Sequence, residues 1–412
     1  METILFWIII SIVIFDFIFE KTLDYLNIKN LTEKLPDELK GIYDEDKYKK
    51  SQAYQKTSSR FSLISSSFSL VLILMILFFG GFAYLDNFVR NLSGNIYIRT
   101  LSFFGILGIV VDLLSVPFQI YSTFIIEEKF GFNKTSPLTF VLDKLKSWGI
   151  SIVIGGAVIS FILWSWLSLG GLFVPVVLGG LTFFMIFMAM FYSSLIVPLF
   201  NKLTPLEEGS LKSKIQEFAS KSNFRLKNIY TINGSKRSTR ANAYFSGLGP
   251  KKMIVLYDTL INDLTEDEIV AVLAHEVGHY KKKHIYQGLL VSVLQTALML
   301  YLLSLALEHP VFSKSIGGVD GSFYMAIISF GLLYSPLSFV SGILSNKLSR
   351  KNEYQADAYA KSFSLSDELI SSLKKLSVNN LSNLSPHKLY VYFNYSHPTL
   401  LQRIAELTKQ EA

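Results

Sequence analysis

Residues 271–307 read AVLAHEVGHYKKKHIYQGLLVSVLQTALMLYLLSLAL, and they join two kinds of sequence with different physical roles. The first part holds two histidines four apart with a glutamate between them. The second, 287–307, is an apolar run about as long as a bilayer-crossing helix requires. A candidate metal-binding helix therefore runs straight into a candidate membrane span, and the rest of the chain is read from that junction.

Of the 412 residues, 50% are hydrophobic and only 17% are charged, too little polar surface for a soluble protein of this size. Seven apolar runs are expected to span: 3–19, 62–85, 101–126, 149–170, 172–199, 287–307 and 322–345. Little more than Gly170-Gly171 separates the fourth and fifth, which implies a tight hairpin. The third is impure, with Asp112, Pro117 and Gln119; Asp112 and Gln119 could line a chamber or form a packing pair. The start, Met1-Glu2-Thr3, has neither a basic n-region nor a small-residue cleavage site downstream, so 4–19 is expected to stay as the first helix. Asp16 should then face the bundle interior.

All but three of the 39 Lys and Arg fall in segments 20–61, 127–148, 200–286 and 346–412; the exceptions are Arg90, Arg99 and Lys314. That asymmetry assigns the four segments to the cytosol and the N-terminus to the outside. The +7 net charge is then mostly a topological signature, and no nucleic-acid partner is expected. Zero cysteines rule out disulfides and thiolate metal sites. The expected fold class is an α-helical polytopic membrane protein. Five transmembrane helices occupy 1–199, with cytosolic loops 20–61 and 127–148. Residues 200–286 form the cytosolic α+β part with the metal helix, 287–345 the sixth and seventh spans, and 346–412 a helical segment completing the site.

Within 200–286, residues 207–220 look helical, 226–232 and 252–257 look like strands, and 235–249 is rich in Gly and Ser. Thr265 and Glu268 make a capping box, with Leu264 and Ile269 as a staple, so a helix starts there. On it His275 and His279 project from one face, one turn apart, and can reach one tetrahedral ion. Glu276 flanks that ion without ligating it, where it can take a proton from a water the metal activates. Gly278 would leave room for a substrate backbone. His284, after three lysines, reads as a headgroup contact rather than a ligand.

A catalytic zinc commonly has three protein ligands and an open position. The third candidate is Glu353, in "SRKNEYQADAYAKSF" (349–363), with Asp357 one turn on to hold an imidazole by its other nitrogen. Taken by itself this stretch reads as a solvated charged helix; the upstream motif makes it a ligand helix.

At this point the chain resembles the integral-membrane zinc CaaX prenyl proteases of type I. The matching pieces are "KSQAYQKTSSRF" (50–61), "EEKFGFNKTSP" (127–137), "KRSTRANAYFSGLGPKK" (236–252), "HEVGH" (275–279), "NEYQADAYA" (352–360) and "YSHPTLLQRI" (395–404). The resemblance implies seven helices around a barrel-like, water-filled chamber, capped by a small cytosolic zinc-peptidase domain. It implies hydrolysis after a prenylated cysteine, with Zn²⁺ on His275, His279 and Glu353 and Glu276 as general base. Asp357 is then a supporting carboxylate, His397 an oxyanion donor, Arg403 an anchor of the C-terminal segment, and Asn242 part of a substrate-pairing edge strand.

Partners expected are a peptide or prenylated-protein substrate and the lipid bilayer; a monomer is compatible with the sequence. Residue usage rich in Lys, Asn, Ile, Ser and Phe points to an AT-rich microbe and a bacterial inner membrane, with the endoplasmic reticulum membrane the place if the source is eukaryotic. In a bacterium the substrates would be membrane-associated peptides. Two competing readings are a quality-control protease without prenyl specificity and a non-hydrolytic transporter or scaffold with structural zinc. Against the scaffold, structural zinc usually takes four protein ligands, and Glu276 would then have no role.

Overall fold

The structure, a computed structural model, describes residues 1–32, 35, 40–224, 228–246 and 253–409. Among the described residues, six helical stretches are long and apolar enough to cross a membrane: Glu2–Lys29, Glu45–Phe78, Ile96–Phe130, Pro137–Phe200, His284–Glu308 and Phe323–Lys361. The fourth, at 64 residues, is far longer than one bilayer requires. It breaks at Gly170, whose φ of +49° suits a residue without a Cβ. Across the break Trp166 packs on Phe173 and Phe161 presses on Gly180, so the two arms run back along each other. The count of seven comes from taking these arms as separate spans.

The second apolar run differs from its expected bounds. Its helix stops at Phe78, Gly80 turns the chain with φ +67°, and Gly81–Leu92 forms a separate helix. A left-handed glycine breaks a run that hydropathy alone reads as continuous. The third run stays helical through Pro117 and then widens into a π-helical turn at Ser122–Glu127.

Lipid-facing surfaces follow from helix periodicity. On His284–Glu308, Leu290, Leu294 and Leu298 are exposed along one stripe, while Leu300, Leu303 and Leu307 are buried. Asp16 does turn inward, accepting a hydrogen bond from Ser335 Oγ. Asp112 is a packing partner: Lys144 Nζ lies 2.6 Å from Oδ1 and Trp148 Nε1 donates to Oδ2 at 2.8 Å.

Among the described residues four strands form one sheet in the order β1-β2-β4-β3: β1 Leu203–Pro205, β2 Asn228–Ile232, β3 Ala243–Ser246 and β4 Met253–Tyr257. β1 is antiparallel to β2, β2 parallel to β4, and β3 antiparallel to β4. In β4, Ile254 and Leu256 enter one apolar cluster and Val255 another, so the strand is covered on both faces, as its unbroken apolar run requires. Of the 207–220 helix the structure keeps Ser210–Lys221. The 226–227 end of one expected strand, residue 252 of the other and the 247–249 end of the Gly/Ser stretch lie outside the described residues.

The basic segments meet at one end of the bundle. Asn30 Nδ2 donates to Ser385 O, Tyr43 Oη to Ser377 O, and Tyr54 Oη to Glu127 Oε1. Arg240 pairs with Glu127 at 3.0 Å and Arg237 with Asp143 at 2.8 Å. The stretch around 127–137 and the stretch around 236–240 are therefore partners in one ion-paired seam beside the sheet.

Candidate metal centre

The helix Glu266–Lys281 starts as expected: Thr265 Oγ1 accepts from Glu268 N, and Glu268 Oε2 accepts from Thr265 N. Glu268 is buried. Burial would raise its pKa, but Lys375 Nζ at 2.8 Å, Ser371 Oγ at 2.6 Å and the Thr265 amide hold it below the usual value. The capping carboxylate thus also docks the helix Ser366–Asn379.

The helix of Glu353 and Asp357 is the far end of a 39-residue rod, Phe323–Lys361, continuous with the last apolar run rather than a separate element after it. The two helices touch at Gly278. A Cβ there would lie 3.0 Å from Ala356 Cα, 3.1 Å from Ala356 O and 3.0 Å from Tyr359 Cβ. Gly278 therefore does not face a substrate; the missing side chain lets the two backbones approach. That approach brings Glu353 under the imidazoles.

His275 Nε2 and His279 Nε2 are 3.1 Å apart, and Glu353 lies 3.4 Å from the first and 3.3 Å from the second. Bonds of about 2.0–2.1 Å to a tetrahedral ion place neighbouring donors about 3.3–3.4 Å apart, so this triangle has the dimensions of a zinc site's face. Glu353 Oε2 is buried with no hydrogen-bond donor among the described residues. Burial alone lowers the His275 pKa; the Asp357 hydrogen bond and nearby Glu353 outweigh it and bring the imidazole up to about 9. The surroundings favour a positive charge at this point, and the donor set fits zinc.

Asp357 Oδ1 is 2.8 Å from His275 Nδ1, and Arg403 grips the same carboxylate with two bonds of 2.9 and 2.6 Å. Burial would lower the Arg403 pKa, but Asp357 holds it above its ordinary value. Arg403 sits on Leu400–Leu407, begun by a capping box of Thr399 and Gln402. His397, just before it, places Nε2 3.3 Å from Glu353 Oε1. Glu276, His397 and Asn242 line one cavity of about 1040 Å³ with His275, His279 and Glu353, and this cavity reaches Val291 and Gln295 on the membrane helix. Asn242 precedes β3 and accepts the Tyr257 amide through its backbone; β3 is an edge strand, and its Ala243 and Phe245 line the same cavity.

All eight sequence-nominated residues are thus gathered around one point. His284 is not a headgroup contact: it is buried, with Nδ1 3.0 Å from His279 Nδ1 and Nε2 2.8 Å from Gln355 Oε1. Helical spacing could not reveal this, because the chain turns through Lys283 at φ +61° between the two histidines.

The family described as "Peptidase family M48" matches residues 205–411, and that described as "CAAX prenyl protease N-terminal, five membrane helices" matches 24–202. CAAX prenyl protease 1 of Saccharomyces cerevisiae is 34% identical, over 95% of this chain and 92% of the relative. The human CAAX prenyl protease 1 homolog is 31% identical, over 92% and 90%. The crystal structure of Saccharomyces mikatae Ste24p superposes with a TM-score of 0.92 at 34% identity, covering 98% of both chains. With both halves of the chain matched in this way, the protein belongs to peptidase family M48 and is a multi-pass membrane metalloprotease of that family.

Proposed function

We propose that this protein is a zinc metalloendopeptidase that cleaves CaaX-type prenylated substrates at the cytosolic membrane face, releasing a C-terminal tripeptide. The observation that carries the reading is the tetrahedral spacing of His275, His279 and Glu353 on the wall of a cavity that continues toward the membrane helices. The sequence similarity to CAAX prenyl proteases supports the substrate class. Held by these three side chains, zinc would polarise the scissile carbonyl and make water a nucleophile near neutral pH.

The chain's own groups do the rest. Glu276 takes the proton from the attacking water and delivers it to the leaving amide nitrogen. His397, whose Nδ1 lies 2.9 Å from Ser396 Oγ, donates from Nε2 to the developing oxyanion when that nitrogen carries the hydrogen. The outer edge of β3, unpaired among the described residues, pairs with an extended substrate, and Asn242 marks where that pairing begins. A lipid-bearing residue then lies toward the membrane-helix end of the cavity, against Ile285, Val291 and Leu348. The clustering of the basic segments around this site supports a cytosolic active site and an N-terminus outside.

The test compares one peptide with and without a farnesyl group, using Glu276→Gln as control. Wild type should cleave the farnesylated form faster, and Glu276→Gln should retain zinc without turnover. Equal cleavage of both peptides would point instead to a protease without prenyl specificity. Undiminished turnover by Glu276→Gln would remove the glutamate as base.

A further inference from the structure

We infer that His284 and Gln355 are positioning residues for the metal: together they fix His279 as the tautomer whose Nε2 is free to ligate. The inference rests on the zinc reading above. It starts from two imidazoles that face each other through their Nδ1 atoms at 3.0 Å. Between two neutral rings one nitrogen must donate and the other accept.

Gln355 decides which. Its Oε1 lies 2.8 Å from His284 Nε2, and an amide oxygen only accepts, so that nitrogen carries the hydrogen. A neutral His284 then has its lone pair on Nδ1 and must accept from His279 Nδ1–H. The lone pair of His279 is left on Nε2, which points at His275 Nε2 and Glu353 Oε1. The opposite amide orientation reverses every step and ends with an N–H on His279 Nε2, aimed into the donor triangle where no cation could then bind. The hydrogen-bonded chain and the ligand set are consistent in one sense only.

The backbone supports the same assignment. His284 follows Lys283, whose φ of +61° is uncommon for a residue with a side chain. That turn ends the metal helix and folds the next residue back onto it. His284 is only 6% exposed, so it is removed from the lipid headgroups that three preceding lysines suggest.

The two ligand imidazoles are therefore held by different devices. His275 leans on an ionised pair, Asp357 with Arg403, whereas His279 leans on an uncharged chain. A carboxylate behind His279 would add negative charge to the centre; an imidazole and an amide orient the ring without doing so. The centre stays more electrophilic as a result.

The experiment uses the full chain in detergent, loaded with zinc, and follows zinc release to a chelating dye. His284→Leu keeps the bulk but removes the acceptor, and it should release zinc about 10- to 100-fold faster. His284→Asn puts an amide oxygen near the Nδ1 position and an NH₂ toward Gln355, and should recover most of the residence time. Gln355→Leu, which frees the tautomer without touching His279, should fall between the two. Melting of the metal-free forms is compared in parallel, because a packing role would lower it in all three variants while leaving the release rates unchanged. Wild-type release from His284→Leu, or equal impairment of His284→Leu and His284→Asn, overturns the inference. If His284→Leu does not fold, the Gln355→Leu and His284→Asn pair decides by the same criteria. A wild type that retains no zinc overturns the metal reading itself, a distinguishable result.

Discussion

Replacing Gly278 by alanine adds one methyl group where two helix backbones meet, and its consequence can be worked through to the metal. The new Cβ would lie 3.0–3.1 Å from Ala356 Cα and O and 3.0 Å from Tyr359 Cβ. Ordinary carbon contacts are about 3.5–4.0 Å, so the helices must part by about 0.5 Å or more. Glu353 is three residues from Ala356 on the same rod and moves with it. A ligand bond of about 2.0–2.2 Å would stretch to about 2.5 Å or beyond, outside the tolerance of about 0.2 Å for such sites. Overpacking of this kind costs about 1–3 kcal/mol. Borne by the metal-bound state, that is roughly a 5- to 150-fold loss of zinc affinity. The assay is zinc content after dialysis against a calibrated chelator, with peptide turnover at saturating zinc alongside. Gly278→Ala with wild-type affinity and turnover would refute the reasoning. It would mean that the close approach does not set the ligand triangle.

Other perturbations have equally definite outcomes. Arg403→Leu strands the buried Asp357 carboxylate and should destabilise the protein by about 3–5 kcal/mol, read as a fall in melting temperature. Adding Asp357→Asn should recover most of the stability but not the zinc affinity, because His275 stays without its carboxylate; no recovery would argue against a paired charge. Phenanthroline should abolish activity and lower the melting temperature in proportion to lost binding energy, with both restored by zinc. Tyr43 is buried and its pKa is pushed from 10.0 up to about 12, with desolvation the largest cause. A raised folded pKa means this contribution, roughly 3 kcal/mol, is fully present below pH 10 and lost as pH rises through 12. Tyr43→Phe should therefore be less stable at pH 8, lacking the bond to Ser377 O, yet show a shallower loss between pH 10 and 12.

What the sequence made legible were features set by local spacing. His275 and His279 follow from helical periodicity, the Thr265–Glu268 box from capping chemistry, and the hairpin at Gly170 from a glycine pair between apolar runs. Glu353 and Asp357 needed one long-range assumption, that their helix meets the first. What stayed hidden depends on how elements meet. The role of Gly278 is set by Ala356, 78 positions away, and no local pattern contains that approach. Gly80 ended a run that hydropathy carried through, because hydropathy has no term for a positive φ. The seam of Lys134 N with Arg237 O and Arg240 with Glu127 joins two quoted motifs as partners, where the sequence displays only two separate polar stretches.

The continuity of the last long helix bears on why a protease of this kind has its metal where it does. Loops could hold three ligands only at a height that varies with thermal motion. Here Glu353, the proposed third ligand, stands on the helix that contains the last apolar run, eight residues beyond residue 345 and about 12 Å along the axis. The other two stand on a helix locked to that rod at Gly278 and joined to the preceding membrane helix through the corner at Lys283. On the proposed ligand set, residue count and two packed backbones would fix the distance from the last apolar run to the metal. A substrate tethered by a lipid offers its scissile bond at a nearly constant height, and a rigid rod is the simplest device that can meet it there.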